Sequence, residues 1–109
     1  MINWPAFIKH DGEDELIYIS SATAWQNDEE MLLYVFTERD VLIDSHGQVF
    51  SLTDIQTSLE SAIALATATV DNINELVRAH AVVCGECCVE KIHCQTLPQA
   101  MDFIESLSD

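Results

Sequence analysis

The chain has 109 residues, 49% of them hydrophobic and 21% charged, which suits one folded domain over residues 1–109 and excludes a disordered acidic tail. Nineteen acids stand against four bases, a formal charge of −15, and Lys9, Arg39, Arg78 and Lys91 are scattered, so nucleic acid and anionic membrane surfaces are disfavoured as partners because both need clustered cations. No apolar stretch reaches the roughly 18 residues of a membrane span, and the first residues lack a basic, then apolar, signal segment, so the expectation is a cytoplasmic protein with reduced thiols.

In chain order, Ala6–Lys9 and residues 16–20 flank "HDGEDE" and predict a β-hairpin; Asp11-Gly12 suits its turn, because glycine tolerates positive φ. In the second strand Leu16 and Tyr18 face one way, Ile17 and Ile19 the other. Both faces are apolar, which predicts a strand internal to a sheet with something packed over it. Ser20 or Ser21 can cap a short helix anchored by Trp25. Residues 32–36, "LLYVF", fit helix or strand, and the apolar run closed by "TERD" favours strand. Residues 41–43 and 49–52 form a second hairpin around "DSHG", with Gly47 where the turn needs positive φ.

The next segment is ambiguous. Leu59, Ile63, Ala66, Val70, Ile73 and Val77 recur at helical spacing, yet "AIALATATV" alternates as a strand does. The reading adopted is a strand near residues 62–68 and then a helix from about Val70 to Val83, capped by Thr69 with Asp71 in its first turn; one long helix is the alternative. "CVEKIHCQ" reads as a strand and "TLPQAMDFIESL" as a helix. Thr96 and Gln99 form its capping box, Pro98 sits in the first turn, and Ala100, Phe103 and Leu107 make an apolar stripe beside Ile104. The order ββαββββαβα predicts an α+β fold: a largely antiparallel sheet built from hairpins, with two or three helices on one face.

"HAVVCGECCVEKIHC", residues 80–94, holds all four cysteines and two of the four histidines. Its C-x-x-C, Cys84 to Cys87, lacks the setting of a redox centre. That chemistry needs a helix N-terminus to stabilise the first thiolate, and here a predicted helix ends at the motif, with Glu86 and Glu90 adding like charge. A metal site is the stronger alternative. His80 and Cys84 share a helix face, and with Cys87 and Cys88 they make a sulfur–nitrogen set of the kind zinc accepts. His93 and Cys94 point to opposite sides of the predicted strand, so at most one could join. The preferred reading is core packing: Val77, His80, Ala81 and Cys84 on one helical stripe, Gly85 at the helix end, and reduced cysteines acting as small hydrophobes. "DGEDE" has the wrong glycine position for a calcium loop. Asp44, Ser45 and His46 are neighbours in a tight turn and cannot orient one another as a catalytic set.

Three stretches, "INWPAFIKHDGEDELIYI", "LIDSHGQVFSL" and "LVRAHAVVCGECCVEKI", resemble a small family of uncharacterised bacterial proteins known only as a domain of unknown function. The resemblance implies a bacterial, cytosolic, stand-alone domain and carries no activity or catalytic residues. The residues themselves favour a non-enzymatic protein-interaction or regulatory module. Asp11, Glu13, Asp14, Glu15, Asp28, Glu29, Glu30, Glu38, Asp40 and Asp44, ten of the 19 acids, lie in the first 44 residues. They predict an acidic docking face for a partner with a basic surface. The alternative is a metal- or thiol-dependent binding protein using His80, Cys84, Cys87 and Cys88, with zinc as its cofactor; the main reading needs none. No carboxylate- or histidine-based enzyme site can be assembled from the sequence.

Overall fold

The computed structural model describes residues 1–60, 62–86 and 89–107. Its sheet grows from the two hairpins. β1 (Ala6–Lys9) and β2 (Leu16–Ile19) pair with Phe7 opposite Tyr18 and Ile8 opposite Ile17. β3 (Val41–Asp44) and β4 (Gln48–Ser51) pair with Leu42 opposite Phe50. β1 also pairs with β3, and the short β5 (Ala66–Thr67) lies along β4. The result is a five-stranded antiparallel sheet in the order β2-β1-β3-β4-β5. Gly47 closes the second hairpin at φ +80°, and a Cβ there would sit 2.7 Å from the Ala68 carbonyl oxygen. Turn and close approach therefore both demand glycine at that position.

Alternation along the strands divides the core into two layers. Phe7, Leu16 and Ile43 pack with Ile73 and Val77 of α4 (Val70–Val83) and Ala100, Met101 and Ile104 of α5 (Leu97–Leu107). On the other face Ala6, Ile8, Ile19, Leu42 and Phe50 pack with Trp25 of α1 (Ala22–Gln26), Met31 of α2 (Glu29–Leu33), Phe36, and Leu52 and Ile55 of α3 (Leu52–Thr57). The α+β expectation holds, with both long helices on one face. The described residues contain five α-helices, more than expected, and the short ones form the second layer.

Local capping chemistry delimits the helices. Ser21 caps α1, accepting from the Ala24 N–H. Thr69 and Asn72 form a reciprocal capping box at the start of α4, whose limits are those predicted. At its end the Gly85 N–H reaches the Val82 carbonyl and the Glu86 N–H reaches the Ala81 carbonyl, a Schellman closure around a left-handed glycine. At α5 the Gln99 N–H donates to Thr96 Oγ1 at 3.3 Å, but Gln99 Oε1 accepts from Gln95 rather than from Thr96.

Four expectations need correction. β2 is an edge strand. Its faces are covered, with Leu16 and Ile19 buried, but alternation reports what lies over a strand and not what lies beside it. Residues 32–36 are not a strand. Asp28 caps α2 by accepting from the Met31 N–H, with Glu29 and Glu30 in the first turn, so a helix nucleates and runs into "LL". Gln56 Nε2 then collects the carbonyls of Met31, Leu32 and Tyr34 at 2.9, 3.0 and 2.8 Å. The strand expected at 62–68 is reduced to Ala66–Thr67, with Ile63 and Leu65 exposed. The strand expected after Gly85 is not one either: Val89–Lys91 is a 3-10 turn, and Cys88 lies outside the described residues. Asn74 of α4 takes both Cys94 backbone groups, at 2.7 and 2.8 Å, and Arg78 Nε donates to the Ile92 carbonyl at 2.8 Å. Side chains of α4 thus supply the backbone partners that a neighbouring strand would have supplied.

Candidate functional site

β2 has a histidine on either side of it. His80 lies in the last turn of α4 and is only 2% exposed. Its Nδ1 accepts the Leu16 N–H at 2.9 Å, a backbone donor on the sheet edge. The neutral ring therefore carries its proton on Nε2. Burial pushes its pKa below the ordinary 6.5, and Glu15 offsets part of that. Cys84 Sγ lies 3.6 Å from Nε2, so the shared helix face expected of this pair is real. While the Leu16 bond stands, Nε2 has no lone pair with which to take a thiol proton or bind a metal.

Cys87 and Cys88, the other two residues of the candidate zinc set, lie outside the described residues. Among the described residues, no three His, Cys, Asp or Glu side chains are placed to hold a metal ion. Cys94 is buried in the layer beneath α4 and α5. Burial raises its thiol pKa, partly countered by Arg78. The core reading thus holds for His80 and Cys94, whereas Cys84 is exposed.

On the opposite face of the sheet is a second arrangement. His10 follows β1 and is 7% exposed. Its ring centroid lies 4.9 Å from that of Tyr34 and 5.8 Å from that of Phe36. Nδ1 is buried without a hydrogen-bond partner, and the facing atom is Asp40 Oδ1 at 3.8 Å. Asp40 is itself buried and accepts from the Asp11 N–H at 2.7 Å and the Thr37 N–H at 2.8 Å. Burial pushes its carboxyl pKa up, but those two N–H groups and His10 outweigh it and hold it below the ordinary 3.8. Asp40 is therefore an anion at neutral pH.

His10 lines a cavity of about 520 Å³. Ile17, Met31, Leu33 and Tyr34 give it an apolar lining, and Glu13, Glu15 and Glu30 give it charge. The two hairpin acids and the α2 acid line the same cavity. Gln56 pins this wall through its three carbonyl contacts. Leu33, part of that lining, is 83% exposed and Val35, two residues on, is 87% exposed, an apolar stretch left open to solvent.

Not all of the predicted acidic face is surface. Asp40 and Asp44 are buried. Asp44 Oδ2 accepts from Asn3 N and Nδ2, and Oδ1 from the His46 and Gln48 N–H groups. It ties the β3–β4 turn to the N-terminal segment, as the turn reading of Asp44, Ser45 and His46 requires. His10 escaped sequence reasoning because no motif surrounds it. Its partners come from residues 34, 36 and 40, which only the fold brings near.

The described residues include no helix long and apolar enough to cross a membrane. A family model, DUF4144, described as a protein structure with unknown function, matches residues 4–104. The NMR structure of a protein from Shewanella amazonensis is similar throughout. It is 28% identical, the match covers 100% of this chain and 92% of that one, and the TM-score is 0.75. No curated protein matches the sequence.

Proposed function

Since the chain belongs to the DUF4144 family, a family of unknown function, we propose a role read from its surface: a non-enzymatic, cytoplasmic interaction module that docks the basic surface of a protein partner. One observation carries this reading. Glu13, Glu15 and Glu30 meet around an apolar-lined cavity, and Leu33 and Val35 stand exposed beside it. Apolar area supplies affinity, while flanking carboxylates steer and select a cationic partner. The overall charge of −15 strengthens the steering.

The test is capture from the source cell with the wild type and with a Glu13→Gln, Glu15→Gln, Glu30→Gln triple variant. A partner held by the wild type, lost with the variant and released as salt rises supports the reading. Capture indifferent to both salt and variant sinks it.

A second reading, a metal- or thiol-dependent binding protein built on His80, Cys84, Cys87 and Cys88 with zinc, is favoured by the 3.6 Å approach of His80 Nε2 to Cys84 Sγ. It requires His80 to release the Leu16 N–H, so that Nδ1 carries the proton and Nε2 binds the ion. Native mass spectrometry of protein purified without chelator tests it: a retained zinc supports the reading, and an apo mass removes it.

A further inference from the structure

We propose that the β5 edge of the sheet is the contact by which two copies of this chain associate, with β5 pairing antiparallel to β5 of a second copy. The inference goes beyond the docking reading and uses the opposite end of the sheet. In the order β2-β1-β3-β4-β5 each outer strand has a side with no neighbouring strand. β2 is guarded there: His80 Nδ1 takes the Leu16 N–H, and Glu15 adjoins the strand. β5 carries neither guard, and an edge without charge is open to pairing. The Ala68 N–H donates to the Gly47 carbonyl at 2.7 Å, and Thr67 stands opposite Gln48. Successive residues of a strand send their N–H and C=O groups to opposite sides, so both groups of Thr67 point away from β4. Among the described residues no strand lies beyond them. Ala66 and Thr67 are exposed, and Ile63 and Leu65 just before them are 75% and 62% exposed.

Charge selects the occupant. In a chain of 19 acids and four bases, residues 45–53, 62–70 and 92–101 contain no Asp, Glu, Lys or Arg. The fold gathers these three stretches. The first holds β4 and the second β5, which pair. The third begins α5, and its Leu97 Cδ1 would lie 3.2 Å from a Cβ on Gly47 in the β3–β4 turn. Two copies at −15 each repel wherever their acids face one another. At this edge they meet without that repulsion. A cationic partner finds no carboxylate here, and burying its charge against Ile63 and Leu65 is costly. A second copy brings the complementary surface, the same apolar side chains and the same outward backbone groups. Antiparallel pairing about a two-fold axis sets Thr67 opposite Thr67 of the second copy, each N–H donating to the other carbonyl. The two sheets then run on as one. The docking cavity, which Ile17 of β2 lines, stays open at the far edge.

Sedimentation equilibrium of the full chain from about 10 μM to about 1 mM covers the range in which a small interface associates. The average mass is expected to climb from 12.2 kDa toward twice that value. At a given concentration it should climb further as salt rises, because screening relieves the repulsion between copies. Salt acts in the opposite sense on the docking of a basic partner, so the two readings fail separately. Amide exchange followed by NMR locates the contact: exchange of the Thr67 N–H is expected to slow with concentration, and that of the β2 amides is not. Leu65→Glu, at an exposed position that puts folding at little risk, sets an acid on each side of the contact. It is expected to weaken association at least about tenfold. Thr67→Pro removes the outward N–H and leaves the bonds to β4 in place; it is expected to weaken association about tenfold. A chain that keeps the monomer mass throughout overturns the proposal. So does association that salt weakens, that slows exchange at β2 instead, or that both variants leave unchanged.

Discussion

Two histidines flank the same edge strand, and they are opposites. His80 and His10 are both buried, so burial does not separate them. What separates them is the fate of Nδ1. In His80 it accepts the Leu16 N–H at 2.9 Å and closes the sheet edge near the end of α4. In His10 it faces Asp40 at 3.8 Å and makes no hydrogen bond. A buried polar group that completes the backbone is part of the fold. One left without a hydrogen bond is held only by packing and by the charge that faces it.

Stability should divide along that line. His80→Ala strands the Leu16 N–H and opens a void, and is expected to cost about 3 kcal/mol in urea unfolding. A loss under about 1 kcal/mol would mean that the Leu16 bond is not what holds α4 to β2. Asp40→Asn comes next. A carboxylate that accepts two backbone N–H groups is replaced by an amide with one acceptor, at about 2 kcal/mol. His10→Phe is expected to change stability by less than about 1 kcal/mol, since it removes no hydrogen bond. If it cost as much as His80→Ala, the contrast between the two histidines would be void.

Acidity sharpens the same contrast. The folded-state pKa of His80 is lowered from 6.5, so below that value the unfolded chain binds the extra proton first. The stability contribution is complete above pH 6.5 and is lost as pH falls toward the folded value. Asp40 is lowered from 3.8; its contribution is complete above pH 3.8 and is lost as pH falls further. Denaturant midpoints measured from pH 7 to pH 3 should therefore show two separate declines. His80→Phe should abolish the upper one and Asp40→Asn should diminish the lower. An upper decline that persists in His80→Phe assigns it to another group.

How much of this was legible depends on how local each feature is. The limits of α4 were readable because Thr69 and Gly85 act within a turn of the residues they cap. Both hairpins were readable because a glycine turn sits between alternating strands. Residues 32–36 were misread because an apolar run says only that it will be covered, and residues 88–95 because a mixture of apolar and polar residues does not say whether a neighbouring strand is there to pair with. Gln56 and Asn74, the residues that satisfy their backbones, lie more than a turn away in sequence and on other elements. The acids of the cavity were visible as an acidic N-terminal half, but nothing distinguished Glu13, Glu15 and Glu30 from Asp44, which is buried in a turn.

By itself, then, the sequence determined the fold class, the hairpins, the long helices and the sign of the surface, because turns, caps and periodicity are set within a few residues. Only the tertiary structure decided that β2 stands at an edge, that His80 closes that edge, and that His10 meets Asp40 and lines a cavity with three glutamates. Those facts depend on which distant groups satisfy one another once the chain is packed, and a local pattern carries no record of that.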